Sequence, residues 1–396
     1  MAGYEQPLVR TLARALARPP ALIHIVVGPR QVGKTTAARA VAASWKGPVR
    51  YAAADELLPP GPEWIRTQWQ LARAQSRGRP CLLVLDEVQK VPAWSEVVKG
   101  LWDADRRAQH PVSVVLLGSS ALLLARGSTE SLAGRFLLHR CLHWSFGECR
   151  EAFGWELGQW LFFGGYPGAA PHIEDVGLWR GYVRDSLIEA VLGRDVLSLE
   201  RVTKPALLRH LFALACRLPA QPVAYNKMLG QLQDAGNTTT LAHYLRLLEN
   251  AFLVTGLERF SAGQTRSRGS TPKLLLWNNA LINAVDLRGP DEARHDAPWW
   301  GRLVENAVGA HLVNHLQGLS YEVSWWREGN VEVDYVVRSG SAVWAIEVKS
   351  GRERVKAGLA AFSAKHPKAH QLLVGAGGLT LEEFFATDPA ELLPSL

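Results

Sequence analysis

The sequence predicts an α/β protein. A doubly wound parallel sheet carrying a phosphate-binding loop comes first, then a helical region, then a smaller α/β segment. Three observations carry this. Short apolar runs alternate with helical periodicity through the first 150 residues, the signature of parallel strands covered on both faces. Gly28-Pro29-Arg30-Gln31-Val32-Gly33-Lys34-Thr35 satisfies G-x-x-x-x-G-K-[ST] between a predicted strand and a predicted helix. Strand runs vanish from about Glu148 through residue 251, and a third composition begins after Pro290.

Taken in order, residues 6–18 read as an amphipathic helix ahead of a strand at Ala21–Val27. Val49–Ala53, Cys81–Leu85 and Val112–Leu117 supply three more buried strands, with helices at Lys34–Ser44, Glu63–Arg77 and Ser95–Ala108 between them. In the helical region Asn237 is placed to cap a helix starting at Thr238, with Leu241, Leu245 and Leu248 on one face. Two strands, Phe252–Phe260 and Lys273–Trp277, flank a turn-rich loop holding Arg266 and Arg268, and helices followed by such a ribbon suggest a winged helix. The last segment offers a helix at Arg302–Gln317 and strands at Tyr321–Trp326, Val331–Val337 and Val343–Val348. A helix at Arg352–Lys365 and a strand at Gln371–Val374 close it. The expected domains are 1–147, 148–290 and 291–396.

Composition limits the function classes. With 396 residues, 47% hydrophobic and 20% charged, the chain is neither fibrous, disordered nor a small stapled scaffold. No apolar run approaches the ~20 residues that span a bilayer; the longest, Val112–Ala125, is broken by Gly118, Ser119 and Ser120. No secretory leader is expected around Glu5. The four cysteines lack C-x-x-C spacing, which argues against a disulfide or zinc framework and for a cytoplasmic location. The net charge of +7 hints at a polyanionic partner such as DNA. That surplus is uneven. Residues 1–150 hold 20 Lys and Arg against 11 Asp and Glu, whereas residues 291–396 hold 10 against 14. An acidic segment grips DNA poorly through long-range electrostatics.

In the loop Gly28–Thr36, backbone N–H groups and the following helix N-terminus make a phosphate cradle. Lys34 reaches the β- and γ-phosphates of ATP, and the Thr35 hydroxyl is a Mg²⁺ ligand. Leu82–Leu85 leads into Asp86 and Glu87: Asp86 suits Mg²⁺ and Glu87 suits polarising the attacking water. Ser119, after the next strand, is a candidate for orienting that water. On the predicted strand Val343–Val348 and just beyond it, Glu347 and Lys349 share a face, and a turn at Arg338–Ser341 brings Asp334 level with Glu347. Asp334 and Glu347 could then hold Mg²⁺, Lys349 could position water for phosphodiester attack, and Glu305 could complete the shell. Surface ion pairing is the competing explanation for the same pattern. Fifteen tryptophans include the pairs Trp299-Trp300 and Trp325-Trp326, which suit either base stacking or a core.

The segments GPRQVGKTT (Gly28–Thr36), LDEVQKVPAW (Leu85–Trp94) and LGSS (Leu117–Ser120) resemble the bacterial and archaeal AAA-type ATPases that carry a C-terminal DUF4143 domain. SLAGR (Ser131–Arg135), WSFGE (Trp144–Glu148), FGGYP (Phe163–Pro167), GRLVEN (Gly301–Asn306), VEVDYV (Val331–Val336) and AIEVKS (Ala345–Ser350) extend the likeness along nearly the whole chain. His143-Trp144 departs from the Pro-Leu pair more usual in that family, a change in the linker. The resemblance implies that Arg135 meets the γ-phosphate as an arginine finger or sensor. It also implies a homo-oligomer and a restriction-endonuclease-like fold at the C-terminus, with Glu305, Asp334, Glu347 and Lys349 as its polar set. The expected function is a Mg²⁺-dependent ATPase coupled to nucleic-acid processing. The alternative is an ATP-switched regulator whose nuclease-like domain binds partners without cutting.

Overall fold

The computed structural model describes residues 4–18, 22–55, 60–77, 79–118, 131–196, 202–232, 236–261, 271–351 and 357–394. These group into two compact units, one within Met1–Leu142 and Gly193–Arg201, the other within His143–Leu192 and Val202–Leu396. Residues 291–396 and most of 148–290, apart from Gly193–Arg201, fall in the second unit. No helix among the described residues is long and apolar enough to cross a membrane.

The first unit is a five-stranded parallel sheet. Its strands are β1 (Ile23–Val27), β2 (Val49–Ala53), β3 (Cys81–Asp86), β4 (Val112–Leu117) and β5 (Phe136–Arg140), in the order β2-β3-β4-β1-β5. Helices α1 (Pro7–Leu16), α2 (Lys34–Ser44), α3 (Pro62–Ser76) and α4 (Trp94–Ala108) cover it. Strands β1, β3 and β4 are buried at every position, which is why they read as unbroken apolar runs instead of alternating ones. Ile23, Ile25, Val27, Leu83 and Leu116 pack on one face with Trp69 of α3 and Trp102 of α4. Buried Asp105 ties these two helices together by accepting from Trp69 Nε1 and Arg73 Nε, both at 2.6 Å. On the other face His24 Nδ1 lies 2.9 Å from His139 Nε2. Burial holds both imidazoles below the usual histidine range, so the pair is neutral and one ring donates to the other.

In the second unit, α5 (Phe146–Phe153) starts with a reciprocal capping box between Ser145 and Glu148. It is followed by α6 (Leu157–Phe163), α7 (Pro205–Arg217), β6 (Gln221–Pro222), α8 (Tyr225–Gln231), α9 (Thr238–Asn250), β7 (Val254–Leu257) and β8 (Lys273–Leu276). The Asn237 side chain accepts from the Thr240 amide, and α9 buries Leu241, Leu245 and Leu248 as its periodicity predicts. The antiparallel sheet β6-β8-β7 packs beside these helices. Arg266 and Arg268 fall outside the described residues.

The C-terminal part sets α10 (Ala297–Leu316) against a second sheet of β9 (Glu322–Glu328), β10 (Val331–Ser339), β11 (Ala342–Lys349) and β12 (His370–Gly375). Its order is β12-β11-β10-β9, with β11 and β12 parallel and the other pairs antiparallel. Helices α11 (Ala357–Lys365) and α12 (Leu381–Ala386) complete it. Asn306 of α10, fully buried, accepts from the Leu276 amide and donates to the Leu276 carbonyl and to Asn279, all at 2.9–3.0 Å. That side chain seats β8 on α10. Trp299, Trp325 and Trp326 are buried, which makes them core anchors and removes them as base-stacking platforms.

Candidate functional site

In the first unit the phosphate loop joins β1 to α2. Its turn needs glycines for defined reasons. Gly33 sits at φ 98° just before α2, a conformation that side chains disfavour. A Cβ on Gly28 would lie 1.8 Å from the Cys141 carbonyl oxygen, because β5 runs alongside β1 and Cys141 N–H donates to Val27 O. Gln31 also has positive φ, 59°. Arg30, Thr35 and Thr36 lie at the rim of the turn, while Val32 is buried beneath it. Gln6, just ahead of α1, donates to the Val32 carbonyl at 3.0 Å and braces the turn from behind.

Lys34 Nζ is folded onto the carbonyls of Gly28 and Pro29, at 2.9 and 2.6 Å. Desolvation holds its pKa below the usual lysine range, and the negative charges of Glu87 and Asp86 offset part of that. Thr35 Oγ1 donates to Asp86 Oδ2 at 2.9 Å, across 51 residues of sequence. The sequence therefore named both halves of one contact. Asp86 is buried, and it receives two more bonds: Tyr51 Oη to Oδ2 at 2.6 Å and the Glu87 amide to Oδ1 at 2.9 Å. Tyr51, on β2, was not singled out by the sequence; Asp86 is 35 residues away and only sheet order joins them. A hydroxyl, a carboxylate and a lysine beside a loop of backbone donors fit a Mg²⁺-nucleotide.

Glu87 adopts the left-handed region at φ 54° and ψ 33°, unusual for a residue with a side chain and a mark of stored strain of about 1–3 kcal/mol. Its carboxylate accepts from Gln89 Nε2 at 2.6 Å. Ser119 falls outside the described residues.

Arg135 does not meet its expected role in its own chain. Ile23 lies opposite Phe136 and Val27 opposite Arg140. Arg135 is therefore at the edge of the sheet where β1 and β5 begin, while the phosphate loop is at the edge where β1 ends. Five residues of strand separate them, about 17 Å at roughly 3.3 Å per residue. Its guanidinium makes two bonds to Asp103, at 2.8 and 3.0 Å. Arg140 is the β5 arginine that stands at the phosphate-loop edge.

The four C-terminal polar residues do come together. Asp334 and Glu347 lie one step beyond the Tyr335–Ile346 pair of the β10–β11 ladder, hence level with each other. Asp334 Oδ2 accepts from the Val348 amide at 2.7 Å, and Lys349 Nζ bonds Glu347 Oε1 at 2.5 Å. Glu347 is buried and its Oε2 has no hydrogen-bond partner. Glu305 reaches in from α10, held by the Tyr335 hydroxyl donating to its backbone carbonyl at 2.7 Å. Burial pushes the carboxyls of Glu305, Asp334 and Glu347 above their ordinary range.

Two further residues complete the cluster. Glu332 shares a face of β10 with Asp334, and one oxygen each of Glu305, Glu332 and Asp334 lie within 4.8 Å of one another. Lys273, the first residue of β8, is fully buried among them. Its ammonium is 2.5 Å from Glu305, 3.5 Å from Glu332 and 3.9 Å from Asp334 Oδ1. It donates to the Asp334 carbonyl at 3.0 Å and lies over the Tyr335 ring. A Mg²⁺ ion among these oxygens would stand against a fixed positive charge, so the residues present do not fit the metal that the resemblance implies. Asp334 and Glu347, the pair expected to hold Mg²⁺, stand beside this group, and Glu347 Oε2 keeps no partner.

Comparison with known proteins agrees with the order of these parts. Residues 21–150 match the AAA domain family, residues 154–292 a domain of unknown function, DUF8612, and residues 300–384 a domain of unknown function, DUF4143. Two uncharacterized proteins, one from Mycobacterium tuberculosis and one from Mycobacterium bovis, are each 27% identical to the chain over 355 residues, covering 85% of it and 72% of their own lengths.

Proposed function

The chain is an AAA-domain protein with a C-terminal DUF4143 domain, and on that premise we propose that it binds and hydrolyses ATP with Mg²⁺ and uses turnover to switch its second unit. The Thr35–Asp86 contact beside Lys34 carries the reading. Lys34 leaves the Gly28 and Pro29 carbonyls for the β- and γ-phosphates, whose negative charge replaces two neutral acceptors. Thr35 and Asp86 would hold the Mg²⁺, which would supply charge neutralisation at the transferred group. Glu87 takes the proton of the attacking water. The test is Mg²⁺-dependent ATP hydrolysis by the purified chain and its Lys34→Ala variant. Loss of nucleotide binding, by at least about 100-fold, is expected of the variant. Equal hydrolysis by the two proteins would refute the assignment.

Tyr51 is a positioning residue in this scheme, since it fixes the carboxylate that faces the metal. Tyr51→Phe is expected to raise the Mg²⁺ concentration for half-maximal hydrolysis about 5-fold, the worth of one hydrogen bond of roughly 1 kcal/mol. Nucleotide binding in EDTA should be unchanged. An unaltered Mg²⁺ dependence would leave Tyr51 a purely structural role.

What turnover acts on follows from the second unit. Of the two expected outputs, nucleic-acid cleavage and metal-free partner binding, the pairing of the carboxylates with Lys273 favours the second. The β6-β8-β7 sheet with its helices, read as a winged helix, then serves as a binding module. Its α9 presents one arginine, Arg246, a weak basis for reading DNA in the major groove.

A further inference from the structure

Restriction-endonuclease-like sites place carboxylates around a divalent cation, and in this chain the carboxylates of Glu305, Glu332 and Asp334 already surround a cation of its own. Lys273 arrives from β8, a strand of the other sheet of the second unit, and its whole side chain is buried. The ammonium has three N–H bonds to place. Glu305 Oε1 at 2.5 Å and the Asp334 carbonyl at 3.0 Å accept two, and Glu332 Oε1 at 3.5 Å lies on the third side. Two of the remaining carboxylate oxygens have other donors, while Glu347 Oε2 has none. Arg327 bonds Glu332 Oε2, and the Val348 amide bonds Asp334 Oδ2. Lys349 neutralises Glu347. A buried charge persists only when paired and hydrogen-bonded, and the Lys273 ammonium meets that condition with Glu305, Glu332 and the Asp334 carbonyl.

We infer that Lys273 is the resident cation of this cluster, occupying the place of a divalent metal and joining β8 to α10 and β10 as a closed ionic lock. While it is there, the oxygens of Glu305, Glu332 and Asp334 hold Lys273 in place of a divalent cation. This inference is independent of ATP turnover in the first unit, and the two can fail separately.

The experiment uses the full chain carrying Thr35→Ala and Asp86→Asn, so that the nucleotide-side metal ligands are removed, and titrates Mn²⁺ by electron paramagnetic resonance. The lysine-containing chain is expected to show no Mn²⁺ site that responds to Asp334→Asn. Adding Lys273→Ala is expected to create one such site, at least about 100-fold tighter than any residual binding, and Asp334→Asn should abolish it again. A Mn²⁺ site that depends on Asp334 while Lys273 is present overturns the inference. So does a folded Lys273→Ala chain, judged by circular dichroism, that gains no site. Should the alanine variant fail to fold, the lysine-containing chain decides alone: an Asp334-dependent site overturns the inference, and none supports it.

Discussion

Glu87→Gln is expected to lower ATP hydrolysis by about two to four orders of magnitude while leaving MgATP binding within a factor of about two. The side chain keeps its size and its place at the end of β3, and the backbone amide of residue 87 still bonds Asp86 Oδ1. The capacity to take a proton is lost, together with the negative charge that acts on Lys34. Binding should survive because the phosphate contacts belong to Lys34, Thr35 and the loop amides, and Asp86 still faces Lys34. Single-turnover hydrolysis set beside equilibrium binding of a fluorescent ATP analogue separates the two effects. A Glu87→Gln chain that hydrolyses at the wild-type rate would move the base elsewhere. A chain that lost both functions together would mean that the left-handed turn at Glu87 shapes the binding site and not only the chemistry.

The first unit was legible in the sequence because its chemistry is local. Phosphate cradling needs glycines, a lysine and a threonine at fixed spacing on one turn, so Gly28 to Thr35 can be read without knowing the fold. Asp86 and Glu87 are marked by the apolar strand that delivers them. Tyr51 carries no such mark, since a tyrosine in a strand is ordinary and its partner is set by the neighbouring position of β2 and β3. For Arg135 the geometry speaks only of its own chain. Its place near the family landmarks suggested the phosphate, but parallel pairing with β1 puts it at the far edge of the sheet, paired with Asp103.

In the C-terminal part, alternation along VEVDYV and AIEVKS places Asp334, Glu347 and Lys349 correctly, and the same period of two would have flagged Glu332 beside Asp334. Lys273 is different in kind. Thr-Pro-Lys-Leu-Leu-Leu reads as a strand with a solvated lysine at its start, and the acids it meets on β10 lie 59 and 61 residues further along the chain. The acidic excess of residues 291–396 was a faint signal, because part of it is answered by a lysine counted in the preceding segment. Charge summed by segment misjudges a cluster assembled across segments.

Lys273→Met is expected to destabilise the second unit by about 3–5 kcal/mol at pH 8, because the methionine fills the stem but leaves buried carboxylates without a cation. The loss should depend on pH in a definite direction. Burial already raises Glu305 and Asp334 above the ordinary carboxylate range, and Lys273 is the strongest opposing charge for both. Without it their folded pKa values rise further. A carboxyl raised in the folded state weighs against folding above its unfolded value, near 4, and ceases to do so once both states are protonated. The deficit of the variant should therefore shrink as pH falls from 8 towards 4. Urea titration followed by hydrogen exchange at the β10–β11 amides reports this unit apart from the first. Glu305→Gln should cost less in the Lys273→Met background than alone, with a coupling of about 1–3 kcal/mol. Equal deficits at both pH values, or strict additivity of the two substitutions, would mean that Lys273 does not stabilise the unit through its charge on Glu305 and Asp334.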